Sequence, residues 1–164
     1  MFDKHFTNSF SHETWFQKYK SPQDESVEDT WRRVADFLAS DEEESEAWSK
    51  KFYSILEGFQ FVPGGRITSN AGTGLKGTTL INCFVNGPVG KDIDSIEGIY
   101  AELTEQAQIL KSEGGYGFSG DFMRPNGSHI VGIGNQSPGA VKFLELWDKS
   151  SEIITSGSGK SARK

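Results

Sequence analysis

The sequence predicts a mixed α/β domain with a helical leader, left incomplete where its sheet begins. Three observations carry this. Four segments place apolar residues at a helical period, and a β-rich run lies between the second and third of them. Only two strands can be read in the 164 residues, too few for a self-sufficient sheet.

Taken in order, Val27, Trp31, Val34 and Leu38 fall at i, i+4, i+7 and i+11 behind a Ser26 cap, which predicts the first helix. Trp48, Phe52, Ile55 and Leu56 repeat the pattern, and Gly58 is placed to end that helix. Residues 78–85 are β-rich and read as a strand. The third helix has Asp94 as its cap and Glu97 three residues on. Its apolar face is Ile96, Ile99, Tyr100, Leu103, Ala107 and Leu110, and Gly114 with Gly115 stop it. A second short strand is expected over residues 117–123. The fourth helix opens with Ser137 as cap and Pro138 at its first position, then runs through Val141, Leu144 and Trp147 to about Ile153. Trp31, Trp48 and Trp147 are read as core anchors. The acidic run 41–46 reads as a solvated linker and helix start.

Composition excludes several classes of function. With 17 Lys and Arg against 23 Asp and Glu, the net charge of -6 is wrong for a protein that coats nucleic acid. Small phosphorylated ligands need only a few local donors and stay open. A single cysteine, Cys83, cannot form an intrachain disulfide, so a stapled secreted scaffold is excluded. The start of the chain lacks the basic-then-apolar pattern of a signal peptide, and no apolar run is long enough to span a membrane. The expectation is a soluble cytoplasmic protein with no membrane partner. The 19 glycines point to tight turns and to close approaches of backbone to ligand.

Several motifs are decoys. Residues 115–120 satisfy G-x-G-x-x-G, but a long helix precedes them and Pro125 soon follows. A dinucleotide fingerprint needs a strand before it and a helix after it. Gly159-Lys160-Ser161 resembles the end of a P-loop, yet the position that should hold its first glycine is Ile154. A phosphotransferase reading rests on that triplet alone. His5, His12 and His129 share no ligand spacing with each other or with Cys83, so no metal site is expected. Cys83, between Asn82 and Phe84, can be an inert core residue or a chemical one.

Six runs taken together decide between these readings: FVPGGRITSNAGT (61–73), LINCFV (80–85), DSIEGI (94–99), KSEGGYGFS (111–119), MRPNG (123–127) and SPGAV (137–141). In that order and register they resemble the large, catalytic subunit of ribonucleotide reductase, of the cobalamin-dependent or two-subunit type. The resemblance covers roughly residues 27–164 and divides the chain into a helical amino-terminal region (1–60) and the first part of the barrel with its effector-site helix and loops (61–164). It implies the opening strands and helices of a ten-stranded α/β barrel, incomplete in this chain.

Residue by residue, the resemblance implies that Cys83 is the first redox cysteine, paired with a second far downstream. A third, also downstream, carries the thiyl radical that reduces a ribonucleotide to a deoxyribonucleotide. Gly65, Arg66, Ile67, Thr68, Asn82, Cys83 and Gly115 match substrate-contacting positions. Asn82 stands where many members have serine. Asp94, Ser95 and Ile96 match the start of the helix that binds a deoxynucleoside triphosphate or ATP effector, and Arg124 matches the arginine opening the first effector loop. Val131 replaces a second arginine found in some members. The segment from Thr155 resembles the start of the second effector loop and stops at Lys164. Residues 1–26 are too few for the separate ATP-binding module of many relatives.

The implied partners are the downstream remainder of the subunit, a second copy in a homodimer, a ribonucleotide, the effector and a thioredoxin-like reductant. The radical source is adenosylcobalamin or a separate metal-radical subunit. By itself the chain is expected to be inactive. The alternative is a non-catalytic nucleotide-binding or assembly module of the same ancestry.

Overall fold

The computed structural model describes residues 4–87 and 92–156. The chain forms two compact units, Met1–Asn82 and Cys83–Lys164.

The first unit is helical: α1 (Ser9–Lys18), α2 (Val27–Ala39), α3 (Ser45–Leu56), a 3-10 turn at Glu57–Phe59, and the short α4 (Gly65–Asn70). The period of apolar residues passes over α1 because Trp15 is its one buried residue. At α2 the expected Ser26 cap is present as a full capping box. The Ser26 hydroxyl accepts the Asp29 N–H, and the Asp29 carboxylate accepts the Ser26 N–H. Phe6, Trp15, Val27, Trp31, Val34, Ala35, Leu56 and Ala71 make the core of this unit. Gly58 ends α3 at φ +65°.

Two expectations for this unit are corrected. Leu38 is exposed, and Ala35 and Ala39 hold the inner face of α2 instead. Trp48 is also exposed rather than a core anchor, lying against Phe52 with the Lys51 ammonium over its ring. The buried stripe of α3 is shifted by one residue because polar groups set its rotation. Ser49 donates to Asp36 on α2, and the Arg32 guanidinium stacks 3.8 Å over Tyr53.

Asp24 and Arg33, both buried, tie this unit together. Arg33 Nε and Nη2 donate to Asp24 Oδ1 and Oδ2 at 3.0 and 2.9 Å. The remaining guanidinium donors reach the carbonyls of Ala71, Thr68 (3.2 Å) and Tyr19 (3.4 Å). Asp24 also accepts from the Thr30 hydroxyl and the Ser21 N–H. One side chain on α2 thereby anchors both the end of α1 and the α4 segment.

The second unit is built on a βαβ crossover. β1 (Cys83–Asn86) pairs in parallel with β2 (Gly115–Phe118) through α5 (Ile96–Lys111). A two-residue hairpin, β3 (His129–Ile130) and β4 (Asn135–Gln136), precedes α6 (Ala140–Ser156). Its core is Ile99, Met123 and Trp147, with Leu103, Tyr116, Phe118, Phe122 and Phe143 packed around them.

Here too the limits move. Residues 78–82 are not strand. The Thr79 hydroxyl accepts the Ile81 N–H, and Asn70 Nδ2 donates to the Thr79 carbonyl, which diverts backbone groups a ladder would use. β2 starts and ends earlier than expected, because residues after Phe118 turn so that the Met123 N–H meets the Gly120 carbonyl. Pro138 is not the first residue of α6. Ser137 Oγ accepts the Gly139 N–H, and Gly139 at φ +79° lies against the Asn126 backbone, so the helix opens at Ala140. The face of α6 is rotated as well: Trp147 is buried, whereas Val141 and Leu144 are exposed. On α5, Ile96 and Tyr100 are exposed, and the buried positions are Gly98, Ile99, Glu102 and Gln106. The Gly-Lys-Ser triplet at 159–161 lies outside the described residues.

Burial pushes the Asp24 carboxyl up, but the Arg33 guanidinium and the Ser21 and Thr30 hydrogen bonds outweigh it and hold the group below the usual carboxylate range. A lowered folded value means that its contribution is fully present above the ordinary value of about 3.9 and is lost as pH falls through the folded value. Arg33→Ala strands a buried carboxylate and is expected to cost about 3–5 kcal/mol of stability in urea denaturation at neutral pH. That deficit should shrink as the solution is acidified below about pH 4, because protonated Asp24 no longer needs the cation.

Candidate functional site

Within the first unit, the structure brings together Gly65, Arg66, Ile67, Thr68 and Asn82. The first four open α4, and the Asn82 side chain supplies a cap from a distance, its Oδ1 accepting the Arg66 N–H at 3.1 Å. Gly64 makes the approach possible, since a Cβ there would lie 2.2 Å from Asn82 Nδ2. The Arg66 side chain is buried, Ile67 packs against the core, and the Thr68 carbonyl is taken by Arg33. The Ile67 and Thr68 N–H groups both turn to the Gly64 carbonyl, so much of the backbone of this segment is engaged within it.

In the second unit, Cys83 and Gly115 are direct partners across the parallel ladder. Side chains alternate along each strand. Phe84 and Tyr116 lie on the side of the sheet that meets α5, where a Cβ at Gly114 would lie 2.7 Å from the Phe84 ring and 2.9 Å from Ile109. The opposite side carries Cys83 and Val85 on β1 and only Gly115 and Gly117 on β2. The thiol is exposed and stands beside a strip of bare backbone.

The start of α5 forms the third cluster. Asp94, expected as the helix cap, is instead the partner of Arg124. Arg124 Nε donates to Asp94 Oδ2 at 2.7 Å, its Nη2 to the Asp94 carbonyl at 3.0 Å, and its backbone N–H to Oδ1 at 3.1 Å. Ser95 is the cap, accepting the Gly98 N–H at 3.0 Å and donating to the Asp92 carbonyl at 2.5 Å. Gly98 lets residues 92–93 cross the helix, because a Cβ there would lie 2.5 Å from the Asp92 carbonyl oxygen. Asp92, Ile93, Asp94, Ser95, Glu97 and Arg124 line an open cavity of about 580 Å³. Ile96 is exposed on the helix beside it, and Val131 is exposed on the loop after β3. Among the described residues no group of three or more His, Cys, Asp or Glu is poised to hold a metal, and no helix is long and apolar enough to cross a membrane.

Periodicity passes over Glu102, which is fully buried on α5 and receives the Tyr116 hydroxyl. Burial and then the Glu102 hydrogen bond raise the Tyr116 phenol well above its ordinary range. The available signal was an ionisable residue three positions after Ile99 and four before Gln106, on the face that meets β2.

The chain is a helical unit followed by a parallel βαβ unit, and known families match both. Residues 5–76 match the ribonucleotide reductase all-alpha domain and residues 81–163 the ribonucleotide reductase barrel domain. The chain belongs to the ribonucleotide reductase large-subunit family. It is similar to the vitamin B12-dependent ribonucleoside-diphosphate reductase of Thermoplasma acidophilum, at 33% identity over 82% of this chain and 17% of that protein. The enzyme of the same description from Mycobacterium tuberculosis is 31% identical over 69% of this chain and 16% of its own length. The ribonucleoside-diphosphate reductase large subunit of Arabidopsis thaliana is 36% identical over 66% and 13%. The chain thus spans less than a fifth of the length of these relatives.

The corrected cap carries a prediction. Ser95→Ala should cost the 164-residue chain about 1 kcal/mol of stability through the lost Gly98 cap. Urea titration followed by far-ultraviolet circular dichroism measures it, and an unchanged stability in Ser95→Ala would remove Ser95 as the cap.

Proposed function

We propose that this chain is the amino-terminal part of a ribonucleotide reductase catalytic subunit, converting ribonucleotides to deoxyribonucleotides once the downstream part completes it. The observation that carries the reading is the exposed Cys83 thiol at the head of β1, beside the glycine-only side of β2. A redox cysteine needs access to both a substrate and a reductant, and a substrate needs an open floor.

On this reading residues 1–60 are the helical leader, and residues 61–164 supply the site-bearing segments of a ten-stranded barrel. Cys83 and a downstream cysteine each give one electron and one proton. The two thiols become a disulfide, the ribose 2′-hydroxyl leaves as water, and hydrogen takes its place. The radical that starts and ends the cycle resides on another downstream cysteine. Its source is adenosylcobalamin or a separate metal-radical subunit. The backbone of Gly65 to Thr68, Asn82 and Gly115 contacts the substrate. A thioredoxin-like protein re-reduces the cysteine pair.

Asp94, Ser95, Ile96 and Arg124 hold a deoxynucleoside triphosphate or ATP effector at the start of α5. Three carboxylates against one guanidinium in that cavity favour hydroxyl and base donors, and a triphosphate there must bring its own cation. Ile96 and Tyr100 on α5, with Val141 and Leu144 on α6, are exposed apolar residues suited to contact with a second copy of the subunit.

Two outcomes test the proposal in the reconstituted enzyme. Cys83→Ser should abolish both single and multiple turnover with a dithiol protein reductant, because serine supplies no electron; repeated turnover at the normal rate would refute the redox role. Arg124→Ala should weaken effector binding and blur the choice of ribonucleotide while leaving basal reduction intact. Unchanged effector affinity in calorimetric titration would remove the effector site from this cavity.

A further inference from the structure

The buried face of α5 is polar where the fold would accept carbon. Glu102 is fully buried, Gln106 is nearly so, and both turn towards neighbours within the second unit. Glu102 Oε1 receives the Tyr116 hydroxyl from β2. Gln106 Nε2 donates to the Trp147 carbonyl at 3.1 Å and to Ser151 Oγ at 2.8 Å, both on α6. Phe118, two residues after Tyr116, stacks on the Trp147 ring at 4.7 Å. Hydrogen bonds fix angle and distance in a way that apolar packing does not, so β2 is held against α5 at one defined height. Burying a carboxylate is costly, and a fold that needed only adhesion would meet Tyr116 with an apolar side chain.

The residue held this way lies next to Gly115, the ladder partner of Cys83. Adjacent side chains on a strand point to opposite sides. Fixing the Tyr116 hydroxyl on the helix side therefore fixes the height of the Gly115 and Gly117 backbone on the thiol side. From this we infer that Glu102 is a positioning residue: through Tyr116 it sets the substrate floor beside Cys83, without touching substrate itself. The inference rests on the reading of Cys83 and Gly115 given above. Glu102 Oε2 has no hydrogen-bond partner among the described residues. Tyr116 is thus the side chain that engages this carboxylate, and β2 is the element it controls.

The test uses the reconstituted reductase and compares Glu102→Leu, Glu102→Gln and Tyr116→Phe. KM and kcat are measured for the ribonucleotide, and effector affinity by calorimetry. Displacement of the floor should raise KM about tenfold in Glu102→Leu and Tyr116→Phe, the kinetic equivalent of one misplaced hydrogen bond. In both, kcat should change little and effector affinity should stay as in the parent. Glu102→Gln keeps an oxygen for the Tyr116 hydroxyl and should restore KM. A purely structural role lowers the fraction of active enzyme and leaves KM where it was. Tyr116→Phe removes one oxygen atom only and serves if Glu102→Leu does not fold. A parental KM in Tyr116→Phe, in an enzyme whose parent reduces ribonucleotides, overturns the inference and leaves the proposed function standing. Failure of the parent itself to bind or reduce ribonucleotides refutes the proposed function and takes this inference with it.

Discussion

The first unit depends on a single buried ion pair. Arg33 directs its donors to Asp24 and to three backbone carbonyls, one at the end of α1 and two in the α4 segment. Carbonyls at the ends of short helices have no partner inside the helix, and water cannot reach them when they are buried. The guanidinium, planar and always charged, answers several such groups at once in a way that lysine could not. The segment that gains most is α4, six residues long and too short to be stable by itself. Its position comes from Arg33 beneath the Thr68 and Ala71 carbonyls and from Asn82 at its opening turn. The close fit extends to Gly72, which takes a φ of +70° where a Cβ would lie 2.8 Å from Arg33 Cγ.

In the second unit the organising constraint is the sidedness of a two-stranded parallel sheet. One side is filled with aromatic rings against α5 and α6, while the other has a thiol, a valine and two glycines. The connection between the strands is equally constrained. Gly114 brings the chain off α5 against the Phe84 ring, directly after Glu113, a non-glycine residue at φ +68°. Parallel strands need a long crossover, and the helix that provides it also presents its first turn to the Asp94–Arg124 pair. The two candidate regions of this unit thus share one helix.

Much of this was legible in the sequence because it was written in period and punctuation. The α2 helix with its Ser26 cap, the stop at Gly58 and the crossover helix follow from spacing and punctuation, whereas the two flanking strands were placed only in part. The grouping of Asn82 with Gly65 to Thr68, and of Cys83 with Gly115, was accessible through family resemblance and not through periodicity. What remained hidden was set by polar contacts between distant residues. Trp48 is displaced from the core because Ser49 and Tyr53 meet α2. Asp94 is not the cap because Arg124, thirty positions away, claims its carboxylate. Glu102 is invisible to any reading in which a charged residue marks the solvent side of a helix. A hydrophobicity pattern records which residues avoid water, and it is silent about which polar residues find each other.

The bare strip opposite the thiol has one more consequence. At Gly114 and Gly98 the fold requires glycine, since any side chain would collide with a ring or a carbonyl. Gly117 is different. A methyl group added there would meet only the Phe84 carbonyl oxygen at 3.8 Å, an ordinary van der Waals distance, and its φ is not in the left-handed region. The chain's own architecture has room for alanine at this position and gives up backbone stiffness by not having it. Glycine at 117 is thus not demanded by the packing of the strand itself, in contrast to Gly114 and Gly98, and what it leaves is a stretch of backbone without side-chain cover on the side that carries the thiol.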